Sequence, residues 1–130
     1  MNDRPMVVLD ASALLAFLHQ EPGAEAVEQV LHSATISSVN WCEVAQKRIE
    51  RGRPVESIRA GLVKVGLDIA PFTLEDAETA AEMYQATRSS GLSLGDRACL
   101  ALARRLGSPA LTADRRWEDI DLGVEVRLIR

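Results

Sequence analysis

The chain has 130 residues, 47% of them apolar, which suits one buried core and leaves no material for a second, so residues 1–130 are read as a single domain. A formal net charge of −4 argues against a protein that holds nucleic acid through its overall charge. No apolar run reaches the thickness of a bilayer, and residues 1–5 leave no room for a signal peptide, so a cytoplasmic protein without membrane association is expected.

In chain order, "MVVLD" at 6–10 reads as a short strand rich in β-branched residues, and "ASALLAFLHQ" as the helix after it, broken by Pro22 and Gly23. A second helix is expected over "AEAVEQVLHS", then a strand "ATIS" at 34–37 and a helix "SVNWCEVAQKRIERG" closed by Gly52. "PVESIRAGLVKVG" reads as a helix with Pro54 near its first turn, ending at Gly66. There follow a strand "LDIAPF", a helix "LEDAETAAEMYQATRSSG", a helix from Ser93 to Leu106 that stops at Gly107, a strand "PALT" at 109–112, a turn or short helix over "ADRRWEDI", and a last strand "VEVRLI". Strands too apolar to carry a wet face, separated by helices, predict an α/β fold: a doubly wound parallel sheet covered by helices on both sides.

Asp96 lies in the first turn of the helix after Ser93. At about 100° per residue it falls beside Leu100 and Ala103, while Arg97, Arg104 and Arg105 share a wet stripe. One explanation is local: Ser93 as N-cap and Asp96 as an acidic capping-box residue. A second comes from other acids that converge on the same sheet edge. Asp10 ends the first strand and Asp114 follows the strand "PALT", so both leave the sheet at its carboxyl edge, where sites in open parallel sheets are built. Glu43 sits early in the helix after "ATIS", which begins at that edge too. Each has its own local reading: an N-cap for Asp10, an i,i+4 surface pair with Lys47 for Glu43, an Asx-turn for Asp114. Taken together, four like charges at one edge repel and call for a cation. The donors are hard oxygens, with Ser12 and Thr112 hydroxyls nearby and no His or Cys among them. That chemistry selects Mg²⁺ or Mn²⁺ over zinc, and such ions serve phosphodiester cleavage.

The remaining features are weaker. Lys47, Arg48, Arg51 and Arg53 cluster in one segment, and Arg97, Arg104, Arg105, Arg115 and Arg116 in another. These can line opposite sides of an acidic cleft or simply be solvated helix faces. Of this group Lys47, Arg97, Arg115 and Arg116 are the candidate substrate contacts. Cys42 and Cys99 stand in different helices with no CxxC spacing, and read as buried small apolar residues rather than a disulfide or zinc pair. Trp41 and Trp117 read as core or interface residues rather than base-stacking platforms. His19 and His32 both fall near helix ends, so cleavage through a histidine pair finds no support.

The segments "VVLDASALLAFL", "ATISSVNWCEVAQKRI" and "GLSLGDRACLALARRLGSPALTADRRW" resemble, in order and over nearly the whole chain, the successive motifs of PIN-domain ribonucleases of the VapC toxin type. The resemblance implies a Mg²⁺- or Mn²⁺-dependent endoribonuclease with the acidic quartet Asp10, Glu43, Asp96 and Asp114. In that picture Asp10 and Asp96 are the principal metal ligands, Asp114 completes the metal shell, and Glu43 positions metal or water. Ser12, Thr112 and Asn40 support them. It further implies a structured RNA such as tRNA or ribosomal RNA as substrate, a homodimer, and a cognate antitoxin that blocks the cleft. Two rivals differ in kind. A phosphoryl-accepting receiver domain needs a lysine after a late strand, yet Lys47 and Lys64, the chain's lysines, lie in its first half. A non-catalytic PIN-like RNA-binding module would lack acids that are present here.

Overall fold

The computed structural model describes residues 6–130. Residues 1–5, on which the signal-peptide expectation rested, lie outside that range. Five parallel strands form one sheet: β1 (Val7–Leu9), β2 (Ala34–Ser37), β3 (Asp68–Ala70), β4 (Ala110–Thr112) and β5 (Val126–Leu128), in spatial order β3-β2-β1-β4-β5. The chain winds outward from β1 through β2 to β3, then crosses back to place β4 on the other side of β1. Strand order therefore reverses between β1 and β4, the position where open α/β sheets leave a crevice at their carboxyl edge. This is the doubly wound arrangement predicted from the alternation of apolar strands and helical segments.

Seven α-helices among the described residues cover the sheet: α1 (Ala11–Leu18), α2 (Ala24–Glu28), α3 (Ser38–Glu50), α4 (Glu56–Val65), α5 (Leu74–Glu82), α6 (Tyr84–Thr87) and α7 (Leu94–Leu106). The period of two along β1 sorts the core into two clusters. Val7 and Leu9 face Leu14, Val27, Ile36 and Val44. Val8 faces the other way, toward Met83, Leu100, Leu102 and Trp117.

Several boundaries differ from the sequence expectation. The second helix closes at Glu28 and hands over to a 3₁₀ turn at Leu31–Ser33. The long helix expected over 74–91 is divided at Met83, where α5 gives way to α6 and then to a 3₁₀ turn at Arg88–Ser90 that ends on Gly91 at φ 72°. Pro54 stands near the start of α4 as expected, two residues before Glu56. Cys99 is buried as expected, but Cys42 is exposed on α3. Trp117 is fully buried and Trp41 packs half-buried against the core, so both belong to the packing.

Candidate functional site

Asp10, Ala11, Ser12 and Leu15 from β1 and α1, Glu43 and Lys47 from α3, Asp96 from α7 and Asp114 after β4 line one cleft of about 240 Å³ at the carboxyl edge of the sheet. Four carboxylates from four segments far apart in sequence thus open onto the same space. Three of the four local readings hold as well; the expected pair of Glu43 with Lys47 does not form, since Lys47 pairs with Glu50 and Glu43 accepts from Asn40. Asp10 caps α1 by accepting from the Ala13 amide at 2.8 Å. Asp96 completes a capping box: Oδ2 accepts from the Ser93 amide at 2.8 Å, while Ser93 Oγ accepts from the Asp96 amide at 3.2 Å. Asp114 Oδ1 accepts from the Arg116 amide at 2.9 Å. Capping fixes each carboxylate's orientation, and topology brings the three helix starts to one place.

Asp10 is 4% exposed, and hydroxyls surround it. Thr112 Oγ1 donates to its Oδ2 at 2.6 Å, and Ser12 Oγ donates to its carboxylate at 2.8 Å. Ser12 in turn accepts from the Ala113 amide at 2.9 Å, and Thr112 Oγ1 from the Asp114 amide at 3.0 Å. This network ties β1 to the loop after β4, across the sheet's switch point. Burial outweighs these hydrogen bonds, and Asp96 adds like charge, so the Asp10 carboxyl is pushed up to about 6. Asn40, itself buried, orients Glu43: its Nδ2 donates both to Glu43 Oε1 and to the Gly95 carbonyl, each at 2.9 Å. The close approach explains Gly95. A Cβ there would stand 2.7 Å from Glu43 Oε1.

Part of the cation these acids call for is met from within the protein. Arg116 supplies a cation from the protein itself. Its Nη2 lies 2.6 Å from Asp114 Oδ2 and 3.9 Å from Asp96 Oδ2, and its Nη1 donates to the Gly91 carbonyl at 3.0 Å. The guanidinium holds the Asp114 carboxyl below the usual carboxylate range. Accordingly, among the described residues no three Asp, Glu, His or Cys side chains are already gathered as ligands around one point. The donor set nevertheless fits a hard divalent ion: the cleft offers carboxylate and hydroxyl oxygens, and the nearby Cys99 is buried in the core rather than on its wall. Arg116, on Asp114 and near Asp96, occupies part of that donor set.

The basic residues divide. Lys47 lines the cleft and also pairs with Glu50 at 3.8 Å. Arg116 is committed to the acids. Arg115 is exposed and outside the cleft wall. Arg97 does not lie on a solvated stripe: it is half-buried, donates to the Ala80 carbonyl at 2.9 Å and lies 5.3 Å from the Tyr84 ring centre. Arg104 and Arg105 likewise tie α7 to its neighbours, through the Leu122 carbonyl and through the buried Asp76 at 2.7 Å. Arg97, Arg104 and Arg105 therefore serve contacts within the fold, while Arg115 stays exposed and Arg116 meets the acids. Sequence reasoning missed Gly95 as part of the site. The signal was its place directly before Asp96 in the first turn of a helix, where glycine is disfavoured unless something approaches the backbone.

No curated protein sequence matches this chain significantly. Solved structures do match in fold. A toxin–antitoxin complex from Klebsiella pneumoniae contains a chain 21% identical, aligned over 95% of this chain and 98% of that one with a TM-score of 0.77. The DNA-bound VapBC of Salmonella typhimurium aligns over 97% and 99% at 14% identity and a TM-score of 0.73. VapBC-5 of Mycobacterium tuberculosis aligns over 96% and 98% at 21% identity and a TM-score of 0.61. At these identities the likeness speaks for the fold. The sequence profile of the PIN domain matches residues 7–122, a span that runs from β1 past the last of the four acids, and the chain belongs to the PIN domain family.

Proposed function

We propose that this protein is a divalent-metal-dependent endoribonuclease, the toxin of a toxin–antitoxin pair. The observation that carries the reading is the cleft at the switch point, lined by Asp10, Glu43, Asp96 and Asp114. Asp10 and Asp96 would be the principal ligands of Mg²⁺ or Mn²⁺, Asp114 would complete the shell, and Glu43 would position metal or water. Bound there, such an ion supplies an activated water and stabilises charge on the phosphate and the leaving oxygen.

The chain's own residues prepare the place. Ser12 and Thr112 hold the Asp10 carboxylate in one orientation. Asn40 fixes Glu43 at the cleft's wall. Lys47 stands at the same wall and offers positive charge to a phosphate. The solved structures alike in fold are toxin–antitoxin complexes, which supports a protein antitoxin as partner. A structured RNA, tRNA or ribosomal RNA, is the proposed substrate, and a cytoplasmic homodimer the proposed form. No helix among the described residues is long and apolar enough to cross a membrane.

The test is cleavage of cellular RNA by the purified protein with Mg²⁺ or Mn²⁺. Asp10→Asn and Asp96→Asn should each abolish it while the fold persists, and a chelator should stop the wild type. Undiminished cleavage in chelator overturns the metal role. RNA binding with no cleavage in any metal would establish the non-catalytic module instead.

A further inference from the structure

One helical turn beyond the acidic cleft along α1 and α3 lies a second cleft of about 250 Å³ lined by Leu18, His19, Gln20, Arg48, Arg51 and Arg53. From these residues we infer a phosphate-binding subsite that holds the backbone of an RNA strand whose scissile group lies at the acidic centre. The inference rests on the nuclease reading for the identity of the strand, and on the pocket alone for its anion chemistry.

Three guanidiniums meet here with no acid on the wall. Among the described residues none of Arg48, Arg51 and Arg53 has a carboxylate within ion-pair distance, in a chain whose net charge is −4. Arg48 Nε is buried without a hydrogen-bond partner, although its Nη2 reaches the Pro54 carbonyl at 3.4 Å. Arg51 Nη1 lies 3.0 Å from His19 Nε2, which fixes that guanidinium over the end of α1. Glu21 approaches the ring from its other nitrogen, at 3.9 Å. The chain leaves α1 through Gln20, whose φ of 54° is the one positive value at a non-glycine residue among those described, and that turn sets Gln20 into the pocket wall. Gathered guanidiniums repel one another until an anion joins them, and their forked donors match phosphate oxygens.

The geometry favours a nucleic acid strand over an acidic peptide. Leu15 and Lys47 line the acidic cleft; Leu18 and Arg51, one turn on along the same two helices, line the basic one. From Asp10 to His19, and from Glu43 to Arg51, the helical rise amounts to about 12–14 Å. A stacked strand advances about 3.4 Å per nucleotide, so one lying along α1 and α3 would present a phosphate to the arginines about three or four nucleotides from the acids. A polyanion needs this pairing: cations at a distance for its backbone, and acids with a metal where it is cut.

The experiment measures anisotropy of a short, labelled, mixed-sequence single-stranded RNA on the full chain in chelator, across a KCl series. Arg51→Ala/Arg53→Ala should weaken binding about tenfold and flatten the log–log salt slope by about 1.4, two contacts at about 0.7 each, with melting temperature unchanged. Should the double variant unfold, Arg53→Ala alone serves, since no side-chain bond of Arg53 holds the fold. Equal affinity and slope in wild type and variant overturn the subsite. So does a labelled oligoglutamate peptide that binds more tightly than RNA and alone is lost in the variant. The two readings fail separately. RNA binding that follows the arginines, with no cleavage once Mn²⁺ is added, removes the nuclease and leaves the subsite. Cleavage with the same KM in both proteins removes the subsite and leaves the nuclease.

Discussion

Asp10 shows how a single side chain can serve the fold locally and strain it globally. It caps α1 and anchors the hydroxyl network, yet burial raises its carboxyl from 3.8 to about 6. A carboxyl raised in the folded state binds its proton more tightly there than in the unfolded chain. Its contribution to stability is therefore fully present below 3.8 and is lost as pH rises through about 6. At neutral pH the ionised form destabilises by about 3 kcal/mol at most. Asp10→Asn keeps the hydrogen-bonding shape without the charge. We expect urea denaturation to show the variant more stable than wild type above pH 6 by about 1–3 kcal/mol, with the difference vanishing near pH 4. A gain that is the same at both pH values would mean that the ionised carboxylate is not what strains the site. Asp114 behaves in the opposite sense. Arg116 lowers it, so its contribution is present above the ordinary carboxylate range and fades as pH falls through its lowered value.

At the level of elements, α7 decides most. It runs through the second core cluster, presents Asp96 at its first turn and lays Gly95 against Glu43 of α3. Gly95→Ala would ordinarily favour a helix by about 1 kcal/mol. Here the added methyl displaces the Glu43 carboxylate. We expect cleavage to fall at least tenfold while melting temperature changes little, and full activity in that variant would show Glu43 to be dispensable. Much of this was legible in advance. Ser93, Asp96 and Gly107 marked both ends of α7, and the apolar strands gave the parallel sheet and its carboxyl edge. The arginine stripe was legible in part: Arg104 and Arg105 are exposed as expected, while Arg97 is half-buried. Helical periodicity tells which residues share a side, but not that α5 and the segment before β5 would accept from Arg97, Arg104 and Arg105. The division at Met83 was hidden because the helical composition continues through Thr87, whose hydroxyl bonds back to the Met83 carbonyl at 2.8 Å. The basic cluster after Lys47 was visible as a run of charge. That it closes on His19 and Gln20 is a tertiary fact.

Across the whole molecule, the acids stand where β1, α3, the start of α7 and the loop after β4 come together. An ion held by Asp10, Asp96 and Asp114 would cross-link β1, the start of α7 and the loop after β4. It would stabilise the native state by about 2.7 kcal/mol at a concentration of one hundred times its dissociation constant. Mn²⁺ should therefore raise the melting temperature. Arg116→Ala, which removes the competing guanidinium, should bind Mn²⁺ more tightly by calorimetry, by about two- to fivefold for a partly exposed charge pair. Identical affinity in the two proteins would show that Arg116 is no competitor.

Arg116 also bears on the protein's life before any metal arrives. A centre that carries its own counter-cation can emerge from synthesis folded and quiescent, with its anionic groups already satisfied. On the proposed reading an incoming ion would displace this guanidinium, and the free metal in the surroundings would then set the threshold for activity.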